Sequence, residues 1–303
     1  MDRKLKTKDY KLNTKDYKLK TNDMDFQFLK YEVREGVARI TLHRPDVYNA
    51  LNEGMTFELQ DALKSVAKDE QVRVVVLTGE GKAFCSGQDL KSGSTSATDY
   101  AKAPSVKKAS EDREEPESRS FLESLHKRYN PIIRAMRTLP KPVVGRLNGV
   151  AAGAGCSLAL ACDILVAAEE ATLIEVFVNI GLVPDSGSSF FLPRLVGMVK
   201  AFELCSMGSR VSAKEAKELG LVNRVVPAGQ LEAAVKEYTD YFAKAPTRAI
   251  GLIKKMLNKS ASASLEEMLE YEAYCQEIAG NTLDYQEGVK AFLEKRKPAF
   301  TGK

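Results

Sequence analysis

The chain has 303 residues, 44% hydrophobic and 28% charged, which is an ordinary globular balance. Its formal net charge is +4, and the first 25 residues hold eight Lys/Arg against five Asp/Glu, so the near-neutral remainder gives no footprint for nucleic acid. No apolar run reaches the roughly 18 residues of a membrane span. Five scattered cysteines (Cys85, Cys156, Cys162, Cys205, Cys275), with no CxxC, read as buried small hydrophobes in a reducing, cytoplasmic setting.

Residues 1–24 repeat with a period of seven ("LKTKDYK", "LNTKDYK", "LKTND"). With only Leu and Tyr apolar, three short heptads cannot bury a coiled-coil seam, so a disordered tail is expected. From residue 25 the pattern orders. Two alternating runs flank Glu35-Gly36 and predict a hairpin. Met55, Leu59, Ala62, Leu63 and Val66 recur at helical spacing. "VRVVVLTGEG" reads as a strand covered on both faces. Residues 91–120 lose all pattern and predict a polar insertion. A helix is expected from about Ser120 to Arg137, followed by strand, Gly-rich turn, helix and strand through "PVVGRLNGVAAGAGCSLALACDILVAA". That alternation makes an α/β core over 25–210. The rest, 211–303, reads as helical around one short strand, "LVNRVVP". Capping boxes are expected at Ser212/Glu215, Ser264/Glu267 and Asp284/Glu287.

Several familiar chemistries fail on residue type. The run Gly153-x-Gly155 has Leu158 where a dinucleotide fingerprint wants Gly or Ala. There is no P-loop and no GxSxG. His43 and His126 lie outside any metal-binding spacing, so no metal is expected. Two glycine-rich turns remain, "FCSGQDL" after a strand and "GVAAGAGCSLAL" at a helix start. Each can present a backbone N–H, and two such donors aimed at one point make an oxyanion hole. Asp185, in "GLVPDSGSSFFLPR", is the acid left in apolar surroundings. It can serve chemistry, or it can simply cap the helix that follows.

These segments, with "ALNEGM", "VVLTGEGKAFCSGQDL", "SAKEAKELGLVNRVV" and the closing "EGVKAFLEKRKPAF", resemble the enoyl-CoA hydratase/isomerase (crotonase) family over roughly residues 26–300. The nearest subgroup in pattern is the phenylacetate-pathway ring-epoxide isomerases and related enoyl-CoA isomerases. The resemblance implies a spiral of ββα units with a helical C-terminal region that trimerises, often as a dimer of trimers. It also implies an acyl-CoA thioester as ligand and no separate cofactor, coenzyme A being part of the substrate. Carried over by position, the oxyanion N–H groups are those of Gln88 and Ala154. Gln88, Asp89, Leu90 and Lys91 line the CoA path, with Lys91 near a phosphate.

Hydratases of the family use two glutamates where this chain has Ser157 and Phe177. Asp185 aligns with the single carboxylate of many family isomerases. The implied reaction is a shift of a 3-enoyl-CoA to a 2-enoyl-CoA, or rearrangement of a ring epoxide, with Asp185 as proton shuttle. Phe177, Phe190 and Phe191 are expected to help wall the acyl pocket. Glu175, two residues before Phe177, is a reserve acid that a strand would turn to the same face. Competing readings are a non-catalytic acyl-CoA-binding or interaction protein and a weak hydratase.

Overall fold

The computed structural model describes residues 25–91 and 120–303. The heptad-repeat stretch and the insertion between Lys91 and Ser120 lie outside the described residues. The chain opens with the expected hairpin. Strands β1 (Leu29–Arg34) and β2 (Val37–Leu42) pair antiparallel in the register Leu29↔Leu42 to Arg34↔Val37. Glu35 (φ 50°) and Gly36 (φ 80°) supply the two left-handed residues that such a two-residue turn requires. Helix α1 (Glu53–Lys68) starts at Asn52, whose side chain accepts the Met55 N–H, and it buries the stripe of Met55, Leu59, Ala62, Leu63 and Val66.

From there the chain alternates between two sheets. Strands β3 (Val74–Gly79), β5 (Val143–Leu147) and β7 (Ile164–Ala168) extend the hairpin into a six-stranded sheet, closed at its far edge by β10 (Arg224–Val226). Strands β4 (Ala83–Cys85), β6 (Val150–Ala152), β8 (Thr172–Ile174) and β9 (Arg210–Ser212) form the second sheet. Except for β1–β2 and β8–β9, neighbours run parallel. The passes β3–β4, β5–β6 and β7–β8 each lay one strand in either sheet before helical chain returns. This is the spiral of ββα units. Since β10 belongs to the main sheet, the last third of the chain completes the core as well as adding helices.

The helix expected from Ser120 is present but uneven. It runs as α2 (Phe121–Ser124), a π-helical turn (Leu125–Tyr129) and α3 (Asn130–Thr138). Pro131 at the start of α3 has no N–H to give, and its ring crowds the carbonyl four residues back. The turn before it widens, and the Gln60 amide donates to the Lys127 and Arg128 carbonyls at 2.9 and 3.0 Å. Helix α4 (Ala154–Leu160) is buried at every residue. A Cβ at Gly155 would overlap the Cys85 carbonyl, so only glycine lets this helix approach β4.

The remaining helices are α5 (Ser188–Val196), α6 (Met198–Met207), α7 (Ala213–Glu218), α8 (Leu231–Lys244), α9 (Thr247–Ser260), α10 (Leu265–Gly280) and α11 (Leu283–Leu293). Ser264 and Glu267 form a complete capping box, and Ser212 caps α7 through the Glu215 N–H. The third expected box is corrected: Thr282 caps α11, and Asp284 is buried within the first turn. Its carboxylate accepts the N–H groups of Thr301 (2.6 Å) and Gly302 (2.8 Å) and ties down the C-terminal strand of chain. One face of the main sheet packs on α8 through Val74, Val76, Val144, Val166, Leu231 and Val235, and the other faces the larger core. Met198, Val199 and Phe202 of α6 and Leu257, Leu269 and Phe292 of the last three helices remain exposed.

Candidate active site

Three segments meet at one cavity of about 630 Å³. The first follows β4. Leu51 forms a lone parallel bridge with Gln88: the Leu51 N–H donates to the Gly87 carbonyl (2.8 Å) and the Asp89 N–H to the Leu51 carbonyl (3.0 Å). Strand alternation then turns the Gln88 N–H away from Leu51, and Gln88 lines the cavity. The segment before α1 makes this possible. Asn49 is fully buried in left-handed backbone (φ 56°), and its side-chain amide donates to the Glu80 and Ala83 carbonyls at 2.9 and 2.8 Å. The "NALN" run thus clamps the turn before β4 and braces the turn after it.

The second segment joins β6 to α4. Gly153 takes φ 52°, and Ala154 opens the helix, so its amide has no intrahelical acceptor. The two turns touch: a Cβ on Gly87 would stand 2.9 Å from the Ala152 carbonyl oxygen and 3.7 Å from the Ala154 amide nitrogen. Gly87 (φ 100°) is a position where only glycine is comfortable.

The third segment carries Asp185. Ser186 (φ 51°) and Gly187 (φ 89°) reverse the chain immediately after it. The Ser188 N–H donates to the Asp185 carbonyl at 3.0 Å. Asp185 does not cap α5; the cap position is Gly187, and no side chain bonds there. The carboxylate instead lines the cavity and accepts the Ser186 hydroxyl at 2.8 Å. Burial raises its pKa above the ordinary carboxylate value, and the Ser186 bond partly opposes this. Among the described lining residues, Asp185 is the one ionisable side chain.

Leu90, Phe121, Val176, Phe177, Ile180 and Leu182 supply an apolar wall, with Asn179 beside them. Nothing in the sequence pattern singles out Phe121, Asn179 or Ile180. Residues Val176–Ile180 form a 3₁₀ turn, whose i, i+3 spacing puts Phe177 and Ile180 on one face. That turn also overturns the strand-based expectation for Glu175. It is not among the cavity-lining residues; it is buried behind them, and burial pushes its pKa up to about 7.

Other expected site residues sit as follows. Phe190, expected on the acyl wall, points elsewhere: it lines a separate groove beside Phe191 and Arg194, with the Arg194 guanidinium 3.8 Å above its ring. The cause is α5, which begins past the left-handed turn and carries Phe190 and Phe191 off the cavity. Asp89 is buried and paired to Arg44 (2.8 Å) while accepting the Lys91 N–H (3.0 Å), so it shapes the loop from behind the cavity. Lys91 is exposed, next to the cavity-lining Leu90. The Ser157 hydroxyl is fully buried and faces Ser188 at 2.7 Å. A larger cleft, about 820 Å³, lies near the C-terminus. Its Lys141 is spent on the Val66 and Asp69 carbonyls.

Comparison with known proteins identifies the family. The family model described as enoyl-CoA hydratase/isomerase matches residues 32–303. The chain belongs to the enoyl-CoA hydratase/isomerase family. It is 38% identical to the 1,2-epoxyphenylacetyl-CoA isomerase of Escherichia coli (strain K12), covering 91% of this chain and 99% of that protein. It is 39% identical to a "probable enoyl-CoA hydratase" of Rhodobacter capsulatus, covering 92% of this chain and 100% of that one. The crystal structure of an enoyl-CoA hydratase from Bacillus anthracis superposes with a TM-score of 0.79 at 32% identity, covering 91% of this chain and 100% of that one. The fold expected from the motifs is therefore the crotonase fold, and the chain is an enzyme of that family. Among the described residues no helix is long and apolar enough to cross a membrane.

Proposed function

We propose that this crotonase-family enzyme moves the double bond of an acyl-CoA thioester, converting a 3-enoyl-CoA to a 2-enoyl-CoA, with Asp185 as its proton carrier. One observation carries the reading. Among the described residues, the cavity shared by the two amide-bearing turns is lined by a single ionisable side chain, while Phe177 and Ser157 stand where the resemblance places the two glutamates of the family's hydratases. The thioester carbonyl accepts hydrogen bonds from the Gln88 and Ala154 amides. The Asp185 carboxylate removes a proton from C2, and the electrons move into a dienolate whose oxygen the two N–H groups hold. The same carboxyl, now protonated, delivers its proton to C4. Each oxyanion donor contributes about 3 kcal/mol to such a transition state. A base pKa raised by burial suits the task, because it brings proton affinity closer to that of the carbon acid.

The likeness to a 1,2-epoxyphenylacetyl-CoA isomerase supports a second substrate class, an aromatic ring epoxide held by the same thioester contacts. Coenzyme A arrives as part of the substrate, its path running along Gln88 to Lys91. The exposed apolar side chains of α6 and the last three helices support self-association as a trimer or a dimer of trimers.

The test is turnover of 3-hexenoyl-CoA and crotonyl-CoA by the wild type and by Asp185→Asn. The expected result is isomerisation of the first, little hydration of the second, and near-complete loss in the variant. Equal rates in the two proteins would remove Asp185 from the mechanism. Brisk hydration of crotonyl-CoA would favour the hydratase reading, and no turnover of any acyl-CoA would favour a binding role.

A further inference from the structure

The sealed acid behind the cavity is connected to it. Glu175 Oε1 lies 2.8 Å from the Ser188 hydroxyl, which lies 2.7 Å from the Ser157 hydroxyl. Ser157 Oγ in turn lies 3.1 Å from the Asp185 backbone carbonyl and 3.3 Å from that of Gly153. The relay therefore ends on the two backbone units that present the Asp185 carboxylate and the Ala154 amide. All three relay side chains are at least 97% buried, and Glu175 Oε2 has no hydrogen-bond partner.

From this geometry we infer that Glu175 is a positioning residue, which in its acid form drives the Ser188–Ser157 relay to hold the Asp185 loop against the start of α4. Proton counting sets the direction. Each serine hydroxyl has one proton to give. When Glu175 is protonated, its O–H donates to Ser188, Ser188 donates to Ser157, and Ser157 has its proton left for the carbonyl of Asp185 or Gly153. When Glu175 is ionised, Ser188 must donate to the carboxylate and Ser157 to Ser188. No hydroxyl proton then reaches either carbonyl, each of which keeps only its backbone N–H donor, and the Ser157 bond to the Asp185 carbonyl is lost.

The surroundings favour the acid form. The titratable groups facing Glu175 are Cys156 on α4, Cys205 on α6 and Asp185 across the turn, and among the described residues no lysine or arginine pairs with it. Burial is the main cause that raises its pKa to about 7; Ser188 and Cys156 oppose this, and Asp185 adds to it. The relay is thus intact below neutrality and reversed above it.

The inference rests on the isomerase reading for its kinetic readout only. Infrared spectroscopy follows the protonated carboxyl of Glu175 directly, in the full chain without substrate. Its C=O band, assigned by its absence in Glu175→Gln, should titrate near pH 7. In 3-hexenoyl-CoA turnover, the wild-type kcat should fall about 5- to 10-fold above that pH, the worth of one buried hydrogen bond, with KM little changed. Glu175→Gln carries a permanent amide donor and should lose this alkaline fall. Ser157→Ala removes the hydroxyl that reaches the two carbonyls: kcat should be lowered by the same factor at all pH values while the carboxyl band persists. A band missing already at pH 5 would overturn the proposal, as would an alkaline fall unchanged in Glu175→Gln or a Ser157→Ala rate equal to wild type. If Asp185→Asn were fully active, the isomerase reading would fail while the titrating band stood.

Discussion

Asp185 and Glu175 are acids ten residues apart, each with a carboxyl pKa raised by burial, yet the fold assigns them opposite situations. Asp185 is half-buried, opens onto the cavity, and is held by a neighbouring hydroxyl. Glu175 is sealed, with one oxygen on Ser188 and the other unpartnered. The difference arises from local backbone. A 3₁₀ turn after Glu175 hands the cavity to Phe177 and Ile180, whereas two left-handed residues after Asp185 leave its side chain facing inward. A raised carboxyl pKa therefore does not by itself mark a reacting group; access to the cavity does. The sharpest way to break the comparison is to remove each acid in turn. Asp185→Asn should lower kcat on 3-hexenoyl-CoA by about 10³-fold, the range of a lost general base, with KM little affected. Glu175→Gln should do nothing of that size. If the two variants lost comparable activity, the assignment of roles would be wrong.

The next largest effect probes the oxyanion side. Gly87→Ala adds a Cβ 2.9 Å from the Ala152 carbonyl, at a φ of 100° that alanine resists. The loop must shift, and the Gln88 amide shifts with it. A displacement of about 1 Å costs on the order of 10²-fold in rate, and the strained backbone adds roughly 1–2 kcal/mol of instability. Measured kcat and the urea midpoint should both drop. A fall in stability with kcat unchanged would mean that Gln88 does not touch the thioester.

The acids can also be separated by stability. Glu175 has an ordinary value of 4.5 and a folded-state value of about 7. Below 4.5 both folded and unfolded chains keep the proton, so the advantage of the neutral side chain is complete. As pH rises to about 7 the unfolded chain releases it first, and stability falls. The shift corresponds to a loss on the order of 3 kcal/mol. Urea unfolding at pH 5 and pH 8 should show the wild type losing about that much relative to Glu175→Gln. Parallel behaviour of the two proteins would mean that Glu175 is ionised at low pH and properly solvated.

Much of this was legible from residue order because the fold is built from strong local patterns. The hairpin at Glu35-Gly36, the stripe of α1, the all-buried β3 and the Gly-rich start of α4 each follow from periodicity or from a glycine requirement. The gathering of Gln88, Ala154, Phe177 and Asp185 around one cavity follows the family motifs. What the sequence hides is the geometry of short irregular turns. The π turn before Pro131, the 3₁₀ turn at Val176–Ile180 and the left-handed Ser186 have no periodic signature, and they decide that Phe121 and Ile180 face the cavity while Phe190 and Glu175 do not. The Thr282 cap in place of Asp284 is a related miss. Asp284 is claimed by backbone amides 17 and 18 residues away, a contact outside any local window.

The smallest expected effect lies at the mouth of the cavity. Lys91 is exposed beside Leu90, and the Asp89 carboxylate holds its backbone N–H at 3.0 Å while also pairing with Arg44. The loop is therefore fixed by Asp89, and the Lys91 ammonium is left at the surface, where a CoA phosphate would meet it. An exposed ion pair contributes about 0.2–1 kcal/mol, so Lys91→Ala should raise KM by no more than about 5-fold and leave kcat unaltered, the pattern of binding shared by ground and transition states. Asp89→Asn should behave differently. It weakens the brace behind Gln88, so its cost should appear in kcat as well as KM. Raised salt should narrow the gap between wild type and Lys91→Ala, since the lost contact is a screened surface charge, and should leave the Asp89→Asn defect in place. If Lys91→Ala matched wild type at low salt, the phosphate path would have to run elsewhere, while the two amides and the cavity acid would keep their roles.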